Sequence, residues 1–119
     1  MNQDSNEGAR VNTEIVVNHH LEAFAKGIDD LMQDYDESSI LLTPEESYSG
    51  RNEIRQFFVR FLQNATLDFW NALKMQKIAI QGEIAFIVWA APPFVTIAAD
   101  TLLIRDGVIK TQTFVSASR

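Results

Sequence analysis

The chain has 119 residues, 46% of them hydrophobic and 22% charged, with a formal net charge of −6 and no cysteine. That length holds one domain with one sizeable core, and the composition excludes both an intrinsically disordered chain and a membrane-embedded one. Excess negative charge repels phosphate backbones and argues against nucleic acid, while the lack of cysteine excludes disulfides, thiolate zinc sites and cysteine nucleophiles.

The first segment, MNQDSNEGAR, lacks the basic-then-apolar organisation of a signal peptide. Residues 1–11 are expected to be a disordered leader, followed by a single domain over 12–119, and a reducing cytoplasm is the expected location. From Thr13 onward, Val17, Leu21, Phe24 and Ile28 recur at spacings of four, three and four, which places them on one stripe of a helix. Gly27 interrupts it, and residues 29–35 read as a short second helix whose first turn is acidic, as the helix dipole favours. The acids at 29, 30, 34, 36 and 37 are most simply a solvated helix face and its exit. Residues 38–43 form a short strand candidate that stops at Pro44.

Gly50, with Glu53 three residues on, opens the clearest helix, whose apolar stripe is Ile54, Phe57, Phe58, Phe61 and Leu62. After Asn64 the texture becomes β: residues 69–80, 83–91, 94–105 and 108–117 are rich in branched and aromatic side chains. Gln81-Gly82 and Asp106-Gly107 supply hairpin turns, and Pro92-Pro93 forces a bend or bulge between the middle strands. The longest apolar run without charge, residues 84–99, contains that Pro-Pro pair and falls short of the roughly 20 residues of a spanning helix. The order is an α+β layout, with helices on one face of a curved sheet.

Chemistry centres on Asp100. By the period of two, one face of its strand carries Phe94, Thr96, Ala98, Asp100, Leu102 and Ile104. A carboxyl among such groups is costly to ionise, so its pKa is expected to rise. His19 and His20 are adjacent and diverge by about 100° on a helix, so they are not an i, i+4 metal-chelating pair. The spacing of Asp34, Asp36, Ser38 and Glu45 is that of a calcium loop, but Ser39 stands where that loop needs glycine. No metal and no organic cofactor are expected.

Three stretches in this order, KGIDDLMQDY, LLTPEESYSGRNEIRQFF and DTLLIRDGVIKTQTF, resemble the nuclear-transport-factor-like cone fold, especially its SnoaL-like and ketosteroid-isomerase-like branch. The resemblance covers nearly all of residues 12–117. It implies a cone-shaped, strongly curved antiparallel sheet with three helices on its concave face, an apolar pocket at the open end, and a homodimer. Asp100 matches the family's oxyanion-stabilising aspartate. The family's general base, an aspartate just before a proline, is replaced here by Thr43 before Pro44, and a threonine hydroxyl is no proton acceptor near neutral pH. Standard ketosteroid isomerisation is therefore not expected.

The family's second oxyanion donor, a tyrosine on the first helix, falls at His19 or His20 depending on the anchor. Helical phase favours His20, about 70° from the centre of the apolar stripe, with His19 nearly opposite. His20 and Asp100 are thus the expected acid/base pair, with Tyr35, Thr43, Phe58, Trp89 and Phe114 as ligand contacts. Tyr35 reads as structural first. The expected partner is a small apolar or amphipathic molecule. Two readings stand open: a cofactor-free isomerase, cyclase or dehydratase, and a non-catalytic ligand-binding or dimeric interaction module.

Overall fold

In a computed structural model, which describes residues 3–118, ten elements follow one another. They are α1 (Gln3–Lys26), α2 (Ile28–Met32), β1 (Ile40–Leu42), β2 (Ser47–Ser49), α3 (Gly50–Asn64), α4 (Leu67–Ala72), β3 (Lys74–Gln81), β4 (Ile84–Ala91), β5 (Val95–Arg105) and β6 (Val108–Ala117). All six strands join one sheet in the order β2-β1-β6-β5-β4-β3. The fold class is the α+β, curved-sheet arrangement expected. Strand pairs are antiparallel except for β1 with β6, which run parallel. Since β2 occupies one edge of β1, only the other edge is open to the last strand, and β6 meets it after three hairpin reversals in the parallel sense.

Local sequence explains most boundaries. Helix α3 starts one residue away from the expected cap: Ser49 is the N-cap and its backbone N–H donates to Glu53 Oε1 at 2.8 Å, half of a capping box. Gly50 sits at φ 83°, a conformation that favours glycine. The β5–β6 turn places Asp106 and Gly107 both at positive φ, as a tight two-residue hairpin requires. Register shifts at Met75/Lys77, Trp89/Ala91 and Leu103/Ile104 bend the sheet, the second lying just before Pro92-Pro93.

Two expectations are corrected. The segment from Phe69 does not begin a strand, because Thr66 Oγ1 accepts the Phe69 N–H and nucleates a fourth helix, α4, before β3 starts at Lys74. Three helices therefore become four. At the other end, α1 begins at Gln3, so residues 3–11 of the expected leader are helical, with Arg10 facing Glu7 and Glu14 across single turns; residues 1 and 2 lie outside the described residues. Thr13 ties α1 to the sheet, its hydroxyl 2.7 Å from the Gly82 carbonyl oxygen. Among the described residues no helix is long and apolar enough to cross a membrane.

The core lies between the helices and the concave face of the sheet. Val17, Leu31, Leu41, Ile54, Phe58, Leu102 and Ile109 are buried there, each side chain contributing about 1.5–3 kcal/mol by leaving water. Between α1, α3 and α4 on one side and strands β3–β6 on the other, the core opens into a cavity.

Candidate functional site

Three polar groups are brought together on the helical side. His20 follows the apolar stripe of α1 closely enough to be carried inward, where it is 3% exposed. Its ring packs edge-to-face on Phe24, Tyr35 and Phe58, with centroids 5.1, 6.1 and 6.2 Å away. His19 stands at the helix surface but turns back, its Nδ1 2.7 Å from Asp34 Oδ1. His20 Nδ1 faces the other oxygen, Asp34 Oδ2, at 3.4 Å, and neither of these two atoms has a hydrogen-bond partner. One carboxylate thus stands behind both imidazoles. With Nδ1 turned to Asp34, Nε2 is the nitrogen His20 has free for other work.

The acids following α2 were expected to be solvated. Asp34 corrects this: it is buried, because the Ile109 N–H donates to its backbone carbonyl at 2.7 Å and draws the exit of α2 beneath β6. Asp36, two residues on, keeps the solvated role, pairing with Lys110 Nζ at 2.6 Å.

The sheet contributes Asp100. Ile87, Asp100 and Phe114 are directly paired across β4, β5 and β6, and Ala85, Leu102 and Gln112 form the next inward row. Trp89 Nε1–H donates to Asp100 Oδ1 at 3.0 Å, and Gln112 Nε2 donates to Oδ2 at 2.8 Å. The amide oxygen of Gln112 is in turn occupied by the Tyr35 hydroxyl. Burial pushes the Asp100 carboxyl above the ordinary carboxylate range, while the bonds from Trp89 and Gln112 and the nearby His20 imidazole hold it down in part. Tyr35 is raised well above its usual value, by burial first and then by the Asp34 and Asp100 carboxylates, so it remains a hydroxyl donor.

Between these two sets of groups lies a cavity of about 620 Å³, within the size range of small-molecule sites. His20, Phe58, Trp89, Asp100 and Phe114 line it, together with Phe24, Phe61 and Trp70. Trp89 and Phe114 lie nearly parallel, 10° apart in plane with centroids 6.1 Å apart. Two expected contacts do not line it. Thr43 is held in the β1–β2 turn, its hydroxyl donating to the Glu46 carbonyl and accepting the Glu46 N–H. Tyr35 lies one layer behind, reaching Asp100 only through Gln112. Sequence reading missed Asp34 and Gln112. Gln112 was findable, since it shares the inward parity of Phe114 on β6; Asp34 gives only the weak signal of standing three residues after the buried Leu31.

No family model and no curated protein matches the chain by sequence. Solved structures do match in shape. A de novo designed protein with a curved β-sheet superposes with a TM-score of 0.73 at 14% identity, covering 91% of this chain and 87% of its own. A nuclear transport factor 2-like protein of unknown function from Burkholderia xenovorans gives 0.72 at 16%, over 91% and 84%. A candidate polyketide cyclase from Sinorhizobium meliloti gives 0.68 at 15%, over 83% and 92%. The chain therefore has the cone fold of nuclear transport factor 2-like proteins. A designed protein shares it equally well, so the fold alone assigns no activity.

Proposed function

We propose that this cone-fold protein takes a small, mostly apolar molecule into its cavity and moves a proton on it by acid/base chemistry without metal or organic cofactor. One observation carries the reading: in an otherwise aromatic cavity the two ionisable groups are His20, backed by Asp34, and Asp100, held by Trp89 and Gln112. Opposed titratable groups in an apolar cleft are what proton transfer needs, because burial and neighbours tune their proton affinities and the walls exclude competing water. In this assignment Asp34 orients the His20 ring, His20 Nε2 gives or takes the proton, and Asp100 meets the polar end of the molecule. Isomerisation, cyclisation and dehydration all fall within that reach. The lack of an acid at Thr43, which is not among the residues lining the cavity, speaks against the ketosteroid isomerase arrangement.

The test uses 2-tetralone, an apolar ketone with exchangeable α-hydrogens, followed by proton NMR in heavy water. Wild-type protein accelerates exchange, and His20→Gln and Asp100→Asn each lose at least about tenfold of that acceleration. Binding of the ketone without accelerated exchange would establish the other reading, a ligand-binding module. No binding at all removes both.

A homodimer is proposed on the other face of the sheet. Ile84, Phe86, Ile97 and Val115 point outward and are between 38% and 52% exposed, a contiguous apolar surface of the kind monomers rarely leave bare. Sedimentation of Phe86→Asp against wild type checks it, with a shift from two copies to one expected. The absence of cysteine fits a cytoplasmic setting.

A further inference from the structure

The polar groups of the cavity form a charge pattern that its apolar character alone does not give. Among its lining residues there is no lysine or arginine, and the one acid is Asp100. Eight phenylalanine and tryptophan rings line the cavity with that carboxylate, and an aromatic ring presents a negative face. Asp34 adds a second buried carboxylate behind His20. With both carboxylates ionised, the four groups sum to zero when both histidines are protonated and are negative when either is neutral.

Hydrogen bonding at Asp100 has the same polarity. Trp89 Nε1–H can only donate, so Oδ1 is an acceptor there. Gln112 offers Oδ2 its amide N–H, and cannot offer the carbonyl because the Tyr35 hydroxyl already donates to it. Both oxygens are therefore held as acceptors, the arrangement that suits the ionised form. A carboxylate oxygen has two lone pairs, so each keeps one acceptor site beyond the bond it already makes. A ligand reaching Asp100 fits this site best by bringing a further donor, and an anionic ligand meets no lysine or arginine there and is repelled by the carboxylate.

We propose that the ligand of this cavity is an amphipathic amine: an aromatic or alicyclic body carrying a protonated nitrogen that donates to Asp100 while its N–H and adjacent C–H groups lie against ring faces such as those of Trp89 and Phe114. The inference rests on the reading of the cavity as a small-molecule site and specifies the chemical class that site selects. Charge-assisted donation to a carboxylate supplies the selectivity, and cation–π contact adds to it. His20, on the opposite wall, remains the group that can exchange a proton with the bound molecule.

The test compares three probes of one shape by calorimetry: 2-naphthylmethylamine, 2-naphthalenemethanol and 2-naphthoate. The amine is expected to bind at least about tenfold more tightly than the alcohol, and the naphthoate at least about tenfold more weakly. In Asp100→Asn, and in Asp100→Ala as a second variant, the alcohol still binds and the advantage of the amine falls to about threefold or less. Retained alcohol binding shows that the variant cavity is intact. Equal binding of naphthoate, or an amine advantage that survives both substitutions, overturns the proposal, the latter by assigning the preference to the protein's overall negative charge. If the alcohol binds and the amine gains nothing, the proposal fails while the cavity remains a binding site. If none of the three binds, both fail.

Discussion

Asp34 faces His20 Nδ1 and Asp100 lines the same cavity as His20, and the same residue type does different work at each. Asp34 is sealed, 4% exposed, with one oxygen bonded by His19 and the other facing His20 Nδ1 without a hydrogen bond. Asp100 opens onto the cavity with both oxygens bonded. A carboxylate sealed within the protein relies on protein partners, so its removal is felt as lost structure. A carboxylate on a cavity wall can exchange protein partners for water or ligand, so its removal is felt as lost chemistry. The contrast separates a positioning residue from a ligand-contacting one, and it can be broken by measuring stability and binding in the same variants.

The largest effect is expected at Asp34. Asp34→Ala deletes the acceptor of His19 and leaves the buried Nδ1 of His20 facing a void, at a cost of about 2 kcal/mol. Urea denaturation reads this as a lower midpoint with an unchanged slope. Because His20 then loses the group behind its ring, nitrogen-15 NMR should also show its two tautomers mixing. If Asp34→Ala proves as stable as wild type and His20 keeps one tautomer, Asp34 is not the positioning group, and the distinction between the two carboxylates collapses.

The same pair shows what the sequence discloses. Asp100 was legible because strand alternation has a period of two: once Ala98, Leu102 and Ile104 are read as inward, Asp100 must be inward too. His20 was legible from helical phase for a similar reason. Asp34 was not, since it follows a five-residue helix and its burial depends on β6, whose Ile109 N–H captures its carbonyl from far along the chain. Helix α4 was hidden for the opposite reason. Leu67-Asp68-Phe69-Trp70 is aromatic-rich like a strand, and only the Thr66 cap, a local polar interaction, decides for a helical turn. The four long elements of the sheet and the stripe of α3 carry enough repeats for period alone to specify them. Short elements fixed by single tertiary bonds do not.

A smaller effect, one that depends on pH, is expected at Asp100. Burial raises its pKa in the folded protein, against the opposing bonds of Trp89 and Gln112 and the nearby His20, with the un-ionised Tyr35 as the other titratable group near it. A raised carboxyl pKa means that the native state holds the proton more tightly than the unfolded chain. The resulting stability is present in full below the unfolded value and is lost as pH rises through the folded one. Asp100→Asn cannot titrate, so it removes this loss; against that, its amide N–H must face either the Trp89 or the Gln112 donor, at a cost of about 1 kcal/mol. Near pH 7 the two contributions oppose each other, and the variant should lie within about 1 kcal/mol of wild type. Toward acid, wild type should gain on the variant as Asp100 takes up its proton. Thermal melts of both proteins across the acid range measure the difference directly. A wild type that loses ground to Asp100→Asn on acidification would mean that the Trp89 and Gln112 bonds outweigh burial, and Asp100 would then be an anion locked into the structure much as Asp34 is.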